Sequence, residues 1–276
     1  MFTLRQYLLA LLDSRGLTRT LGEIDVCRDE QGRPCFSAGN SAAVFRIRLG
    51  GRIRSLRCYL RPMRHLKEIY GQRLLEKELY LHTSPETGVW VDTVLGDWIE
   101  GSTLHETVAQ AAALRDRESL QILVRLFDRL ALALVTDDRA HGDLKPENII
   151  VGDDGTLCPI DFDASYLPAF AGEISPELGT AAYQHPARTA ADFDERIDDY
   201  PAALISTALY ALAEDPTLWD RYGSSDGLLY TPQRIASDPA YRETLALFEK
   251  RGMAVQYRIA QLLTAPTLRL FGLAEL

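Results

Sequence analysis

Hydrophobic and polar residues alternate along two neighbouring stretches near the start of the chain, residues 44–49 and 53–60. Alternation with a period of two is typical of strands that bury one face, and the Gly-Gly pair between the stretches favours a tight turn. The pattern therefore predicts a β-hairpin. A second hairpin is predicted further on, where the apolar runs 148–151 and 156–160 flank a turn of Gly and Asp residues.

Other stretches complete the predicted element order. Strands are expected at residues 23–27, 34–37 and 88–94. Apolar residues recur at helical intervals in residues 4–12, 62–79 and 120–135, and in several shorter segments between 215 and 276. This order predicts an α+β fold with a small, antiparallel, β-rich first lobe (1–99) and a larger, mostly helical second lobe (100–276). Without a repeat or linker, the lobes are expected to form a single domain, 1–276.

Composition narrows the classes of protein that fit. A chain of 276 residues with 46% hydrophobic residues can bury a core, and a net charge of −9 argues against general nucleic-acid binding. The four cysteines form no C-x-x-C pair and the five histidines have no ligand spacing, so we expect reduced thiols, no structural metal and a cytoplasmic protein. No apolar run approaches the roughly 18 residues that span a bilayer, and residues 4–12 do not read as a signal peptide.

The residues that carry chemistry are concentrated at the second predicted hairpin. They are His141-Gly142-Asp143-Leu144-Lys145-Pro146-Glu147-Asn148 before it and Ile160-Asp161-Phe162-Asp163 after it. An aspartate can accept a hydroxyl proton, an asparagine five residues later can bind a metal ion, and the hairpin returns a second aspartate beside them. This arrangement resembles the catalytic loop and metal-binding loop of protein kinases.

The resemblance implies an activity and a set of roles. Asp143 would position or deprotonate the acceptor hydroxyl, and Lys145 would neutralise charge on the phosphoryl group transferred from ATP. Asn148 and Asp161 would hold Mg²⁺. Because Lys145 lies two residues after Asp143, the match is to serine/threonine kinases in particular. The expected partner is therefore a protein substrate with a Ser or Thr acceptor, and the expected fold is the two-lobed protein-kinase-like one.

The predicted nucleotide contacts in the first lobe depart from the kinase pattern. Residues 37–44 match G-x-G-x-x-G-x-V as S-x-G-x-x-A-x-V, so the expected phosphate-binding residues are Ser37, Gly39, Ala42 and Val44. Small side chains at these positions allow backbone N–H groups to approach phosphates. Residues 97–104 resemble the hinge between kinase lobes. The resemblance implies an adenine ring bonded near Glu100.

An arginine stands where protein kinases carry the lysine that pairs with the phosphates. The predicted strand places Arg57 there, and a shifted overlay offers Arg61. Arginine keeps the charge but has a larger, rigid fork. The resemblance implies a glutamate partner on the predicted helix 62–79, and Glu76 fits the separation better than Glu68.

Two further segments resemble kinase elements, and two positions depart from them. Residues 178–187 resemble the G-T-x-x-Y-x-x-P-E segment that closes the activation loop, and Asp198 is expected to bond to the backbone of the catalytic loop. Asp163 replaces the glycine of D-F-G. Gly142 replaces the arginine that receives the activation-loop phosphate in regulated kinases, so activity without loop phosphorylation is expected.

Three functions remain open on the sequence. The first is an active serine/threonine protein kinase, because the chain contains every residue that the resemblance places at the reacting centre or the metal. The second is a nucleotide-binding pseudokinase or scaffold, suggested by Arg57, the altered glycine loop and Asp163. The third is a small-molecule kinase of the aminoglycoside-phosphotransferase type, which shares the two aspartate motifs. The oligomeric state, the substrate and the occurrence of autophosphorylation are not determined by the sequence.

Overall fold

The fold is α+β, as the sequence pattern predicts. A computed structural model describes residues 1–275 and divides the chain into two compact units, Met1–Trp98 and Ile99–Leu276. The first unit is built on an antiparallel sheet and the second is mostly helical. No helix in the described part of the chain is both long and apolar enough to cross a membrane.

The first unit contains one six-stranded sheet and two short helices. Its elements are α1 (Leu4–Leu12), β1 (Asp25–Val26), β2 (Phe36–Ala38), β3 (Ala42–Leu49), β4 (Arg52–Tyr59), α2 (Leu66–Tyr70), β5 (Leu74–His82) and β6 (Gly88–Asp97). The strand order is β1-β3-β4-β6-β5, and β2 also pairs with β3. The predicted hairpin of β3 and β4 is confirmed. Its two turn residues, Gly50 and Gly51, have φ of 55° and 78°, the left-handed values that a two-residue hairpin turn requires.

One face of this sheet is apolar and forms the core of the first unit. Phe45, Ile47 and Leu56 are fully buried there and pack with the buried face of α1, including Tyr7 and Leu11. A capping box, in which Thr3 and Gln6 exchange hydrogen bonds, starts α1. The alternation in β3 and β4 is therefore explained by the helix that covers one side of the sheet.

The prediction of a helix over residues 62–79 is wrong. Only α2 is α-helical there, and β5 begins at Leu74 and pairs antiparallel with β6. The strand register shifts between Leu75 and Leu79, and Lys77 in the shifted part has φ of 52°. Such a β-bulge interrupts the period of two, so the apolar spacing imitates a helix. Sheet pairing, which is non-local, overrides the local pattern.

The second unit surrounds a buried helix. Its elements are β7 (Gly101–Thr103), α3 (Leu104–Ala113), α4 (Arg117–Thr136), β8 (Ile149–Gly152), β9 (Leu157–Pro159), α5 (Asp199–Glu214), α6 (Leu218–Tyr222), α7 (Pro239–Arg251) and α8 (Ala254–Leu262). Nearly every residue of α5 is buried, and α4 packs along it. A helix that is apolar all round belongs in a core. The predicted helix over residues 120–135 and the predicted helical segments after residue 215 are confirmed.

A three-stranded sheet, in the order β7-β8-β9, holds the residues that resemble a catalytic centre. The predicted hairpin of β8 and β9 is confirmed, with Ile149 opposite Pro159 and Val151 opposite Leu157. The segment 141–148 enters β8, and Asp161 follows the residue after β9. The hairpin therefore brings the two ends of the motif to the same edge.

Candidate functional site

The loop between α4 and β8 holds Asp143 in a defined orientation. The side-chain amide of Asn148 donates to the carbonyl oxygen of Asp143 at 2.9 Å and to its Oδ2 at 3.2 Å. The backbone N–H of Thr180 donates to Oδ1 at 2.6 Å. Two donors from different segments thus fix both carboxylate oxygens. An acid or base that must meet a hydroxyl at a set angle needs such support.

Lys145 lies beside this carboxylate. Its Nζ is 3.6 Å from Asp143 Oδ2 and donates to Thr180 Oγ1 at 2.8 Å. Both ionic side chains are mostly buried, at 23% and 19% exposed, so water screens their interaction incompletely. The ammonium group, the carboxylate and the threonine hydroxyl form one cluster. Such a cluster can orient an acceptor hydroxyl and place a positive charge beside it.

Two glycines permit the close contacts around the loop. Gly142 has φ of 81°, and a Cβ there would lie 2.0 Å from the carbonyl oxygen of Ala164. Gly179 has φ of 73°, and a Cβ there would lie 2.7 Å from Gly142 O and 3.0 Å from Asp143 Oδ1. The glycine at 142 is therefore required by packing against residue 164, quite apart from its replacing an arginine.

The buried carboxylate of Asp198 holds the start of the loop through its backbone. It accepts hydrogen bonds from the backbone N–H groups of His141 and Gly142, the latter at 3.0 Å. Burial raises the pKa of Asp198 despite these bonds, because the surroundings disfavour the charged form. The sequence predicted this contact between Asp198 and the loop, and the hydrogen bonds are present.

Two contacts around the loop were not anticipated. The imidazole Nε2 of His141 lies 2.8 Å from the carbonyl oxygen of Ile160, next to Asp161. The guanidinium of Arg188 donates from Nη1 to Gly142 O at 3.1 Å and also to Gln184 Oε1. Arg188 lies 45 residues after Asp143 in sequence. Its position two residues after Pro186 was the only available signal, and it matches no kinase motif.

The residues expected to bind Mg²⁺ lie at the edge of the β8–β9 hairpin. The N–H of Ile160 donates to the carbonyl oxygen of Asn148 at 2.8 Å, which holds the backbone before Asp161 beside Asn148. Because Nδ2 of Asn148 is used in bonds to Asp143, Oδ1 is the atom that can face a cation. Asp161 has φ of 68°, a strained conformation for a residue other than glycine.

This donor set fits Mg²⁺ better than a softer metal. An amide oxygen and a carboxylate are hard ligands, and Mg²⁺ usually takes one or two carboxylates and completes its shell with phosphates and water. Among residues 1–275 no cluster of three or more His, Cys, Asp or Glu residues could hold a metal by itself. The two residues therefore fit an ion that arrives with a phosphate ligand.

The predicted nucleotide-binding residues of the first unit lie around the turn between β2 and β3. Gly39 N–H donates to the carbonyl oxygen of Ala42 at 2.9 Å and closes this turn. Ser37 pairs with Val44 across the strands, and Val44 pairs on its other side with Arg57. Ser37, Ala42, Val44 and Arg57 thus belong to the three neighbouring strands β2, β3 and β4, and Gly39 lies in the turn between the first two. Their contact with a nucleotide stays a prediction.

Glu76 does not lie on a helix, contrary to the expectation. It is in the bulged part of β5, is 61% exposed, and its Oε1 lies 3.3 Å from Lys67 Nζ. The guanidinium carbon of Arg57 lies 5.8 Å from the centre of the Tyr59 ring. Glu100 is exposed immediately before β7. The roles of Glu76 and Glu100 in nucleotide binding stay predictions.

Comparison with known proteins points to kinases. No family model matches the chain. It is 28% identical over 172 residues to CBL-interacting protein kinase 17 of Oryza sativa subsp. japonica, which covers 59% of this chain and 35% of that protein. It is 34% identical over 113 residues to serine/threonine-protein kinase PknL of Mycobacterium tuberculosis, covering 39% of this chain and 27% of that protein.

A third relative comes from a fungus. The chain is 25% identical over 160 residues to serine/threonine-protein kinase chk1 of Schizosaccharomyces pombe, covering 56% of this chain and 31% of that protein. The chain matches only about a third of the length of these relatives. The similarities support a kinase-like transferase of the protein-kinase-like superfamily.

Proposed function

We propose that the protein is an ATP- and Mg²⁺-dependent kinase that transfers the γ-phosphoryl group of ATP to a Ser or Thr hydroxyl of a protein. The observation that carries the proposal is the cluster in which Lys145 Nζ lies 3.6 Å from Asp143 Oδ2 and 2.8 Å from Thr180 Oγ1. The similarity to serine/threonine kinases named above supports the same reaction.

The residues of the cluster divide the work of phosphoryl transfer. Asp143 orients the acceptor hydroxyl and accepts its proton as the oxygen attacks phosphorus. Lys145 places its positive charge near the phosphoryl oxygens, where negative charge accumulates in the transition state. Thr180 fixes both groups through its N–H and its hydroxyl. Mg²⁺, held by Asn148 and Asp161 when bound, would neutralise phosphate charge.

Binding of nucleotide and metal should be linked. Because Asn148 and Asp161 supply only part of an octahedral shell, Mg²⁺ alone should bind weakly and ATP should bind more tightly with Mg²⁺ than without it. Calorimetry with ATP, Mg²⁺ and a chelator measures this linkage. ATP affinity that is the same with and without metal would contradict the two metal assignments.

Transfer itself is tested with labelled ATP. Purified protein is incubated with labelled ATP, Mg²⁺ and either a mixture of Ser- and Thr-containing proteins or a panel of aminoglycosides. We expect label on Ser or Thr, since the segments that contain Lys145 and Thr180 resemble those of protein kinases. Label on the small molecules alone would favour the small-molecule kinase.

A nucleotide-binding pseudokinase is the second candidate. The observation in its favour is that Glu76 is exposed on β5 and pairs with Lys67 of α2, whereas kinases use a helical glutamate at the matching position. A pseudokinase would bind ATP but transfer no more phosphate than a mock preparation. Its binding to a partner would be unchanged in Asp143→Asn.

A further inference from the structure

The closing segment, residues 178–188, is bonded to the catalytic loop at both of its ends. Near its start, Thr180 bonds to Asp143 and Lys145. At its other end, Arg188 donates to the carbonyl oxygen of Gly142, the residue before Asp143. Gln184 between them accepts from the same Nη1 of Arg188. One guanidinium nitrogen therefore connects the closing segment to the loop.

The hydroxyl groups that could carry a regulatory phosphate are buried. Between Asp163 and Gly179 the sequence offers three acceptors, Ser165, Tyr166 and Ser175. They are 5%, 5% and 7% exposed. Ser165 Oγ donates to His141 O and Ser175 Oγ donates to Glu177 O. A kinase acting in trans could not reach them without opening this part of the chain.

The segment that leaves Asp161 is also held by backbone bonds. Tyr166 and Ala140 exchange hydrogen bonds at 2.9 and 3.1 Å, which places residue 166 beside the start of the catalytic loop. Ser175 N–H donates to Ala190 O at 2.8 Å. These contacts order residues 163–179 by the chain's own groups.

Arg188 is partly buried, and stability alone does not explain the position of its guanidinium. Its Nε and Nη2 are buried and have no hydrogen-bond partner within the described residues. Burial lowers the pKa of Arg188, and Asp198 and Asp143 oppose that shift. A buried cation with unsatisfied donors costs free energy, and an apolar residue of similar volume is often at least as stable in its place. The presence of an arginine here therefore points to a role in positioning the segments that it contacts.

We propose that Arg188 is a positioning residue that fixes the catalytic loop against the closing segment, so that the site is assembled without phosphorylation. Only the expected effect of Arg188 on catalysis rests on the proposed phosphotransferase function; its effect on the position of the loop does not. The arginine lies in the closing segment, and its guanidinium reaches a loop position where only glycine fits. The arginine of this contact therefore belongs to the closing segment and not to the catalytic loop.

Arg188→Met tests the proposal because it keeps side-chain volume and removes both hydrogen bonds. We expect the amide of Thr180 to exchange with deuterium at least tenfold faster in the variant, measured by hydrogen-exchange mass spectrometry, with a melting temperature close to that of the unaltered protein. We expect kcat to fall about tenfold or more, because small displacements of reacting groups are costly. KM for ATP should change less than twofold.

Controls separate position from general damage. Arg115→Met also removes a guanidinium that donates to a backbone carbonyl, that of Ala112, but this bond is far in sequence from Thr180. This variant should leave exchange at Thr180 unchanged. Arg188→Lys should restore part of kcat. If Arg188→Met does not fold, Gln184→Met removes one of the two acceptors of Arg188 Nη1. Exchange at Thr180 should then again be faster than in the unaltered protein, by a smaller factor.

Three results would overturn the proposal. They are wild-type exchange at Thr180 in Arg188→Met, an equal effect in Arg115→Met, or faster exchange in the unaltered protein after phosphatase treatment. Because exchange needs no activity, faster exchange in Arg188→Met combined with no transfer by the unaltered protein would support the tether and reject the kinase function.

Discussion

The proposed catalytic loop of the second unit and the predicted nucleotide-binding strands of the first unit are built differently. Around Asp143, both carboxylate oxygens are held by donors from separate segments, and glycines are required where backbones touch. Around Gly39 a side chain would meet nothing closer than 4.0 Å, and Glu76 is exposed on a bulge. Reacting groups need exact placement, whereas a loop that lets phosphates approach needs mainly open space.

The largest effect is expected from Asp143→Asn. The amide keeps the shape, and its oxygen can still accept the Thr180 N–H, while the only hydrogen bond lost is the 3.2 Å bond from Asn148 Nδ2, so the fold and ATP affinity should hardly change. Without the charge that accepts the proton, kcat should fall on the order of 10²-fold or more. Steady-state kinetics and calorimetry measure the two quantities. Full transfer by this variant would mean that the catalytic loop has been misassigned.

A matched pair of glycine substitutions tests the contrast directly. Gly142→Ala places a methyl group 2.0 Å from Ala164 O at a φ of 81°, so unfolding free energy should drop by about 3 kcal/mol. Gly39→Ala should leave stability within about 0.5 kcal/mol, because the space is open. Denaturant titration measures both.

ATP affinity completes this comparison. If backbone groups at Gly39 approach the phosphates, Gly39→Ala should weaken ATP binding while the protein stays fully folded. An unaltered affinity would remove Gly39 from the nucleotide site. Similar stability losses in the two variants would contradict the difference between the regions.

Arg57→Lys examines the departure from the kinase pattern. The guanidinium carbon lies 5.8 Å from the Tyr59 ring centre, a position that suits a planar cation. We therefore expect turnover to fall about tenfold, since one charge-assisted hydrogen bond contributes on the order of 1.5 kcal/mol. Arg57→Ala should weaken both ATP binding and turnover. A rise in turnover with lysine would mean that arginine is a degraded lysine.

The smallest effect concerns pH and Asp199, at the start of α5. Burial raises the pKa of Asp199 from 3.8 to about 7, although Arg196 lies 3.8 Å away. Because the folded chain holds this proton more tightly than the unfolded chain, the carboxyl favours folding most below about pH 4. Its contribution is lost as pH rises from about 4 to about 7.

Asp199→Asn removes this pH dependence. We expect unchanged stability at pH 4 and a gain of about 1–2 kcal/mol at pH 8, reduced from the full linkage value because Arg196 is open to water. Thermal unfolding at the two pH values measures it, with the exposed Asp226→Asn as control. A loss of stability at pH 8 would indicate that the pair with Arg196 dominates.

Several elements followed from local signals. The β3–β4 hairpin follows from alternation around a Gly-Gly turn, and α4 from its helical period. The β8–β9 hairpin follows from two apolar runs around a turn, and it brings Asn148 and the residue before Asp161 together. Each depends on interactions between residues that are close in sequence.

Other features depended on residues far apart in sequence. The 62–79 stretch has helical spacing, yet pairing with β6 makes Leu74–His82 a strand. Arg188 belongs to no motif, and its hydrogen bond to Gly142 O forms only because the closing segment folds back onto that residue.

The sequence by itself determined the α+β class, the order of most elements and the hairpin that brings the two ends of the segment 141–163 together, because turn residues, side-chain periods and motif spacing are local properties. Only the tertiary structure decided that β5 replaces a helix, that residue 142 must be glycine, and that Arg188 reaches the catalytic loop. Those outcomes depend on packing and on hydrogen bonds between segments that are distant in the chain, and local spacing contains no record of such contacts.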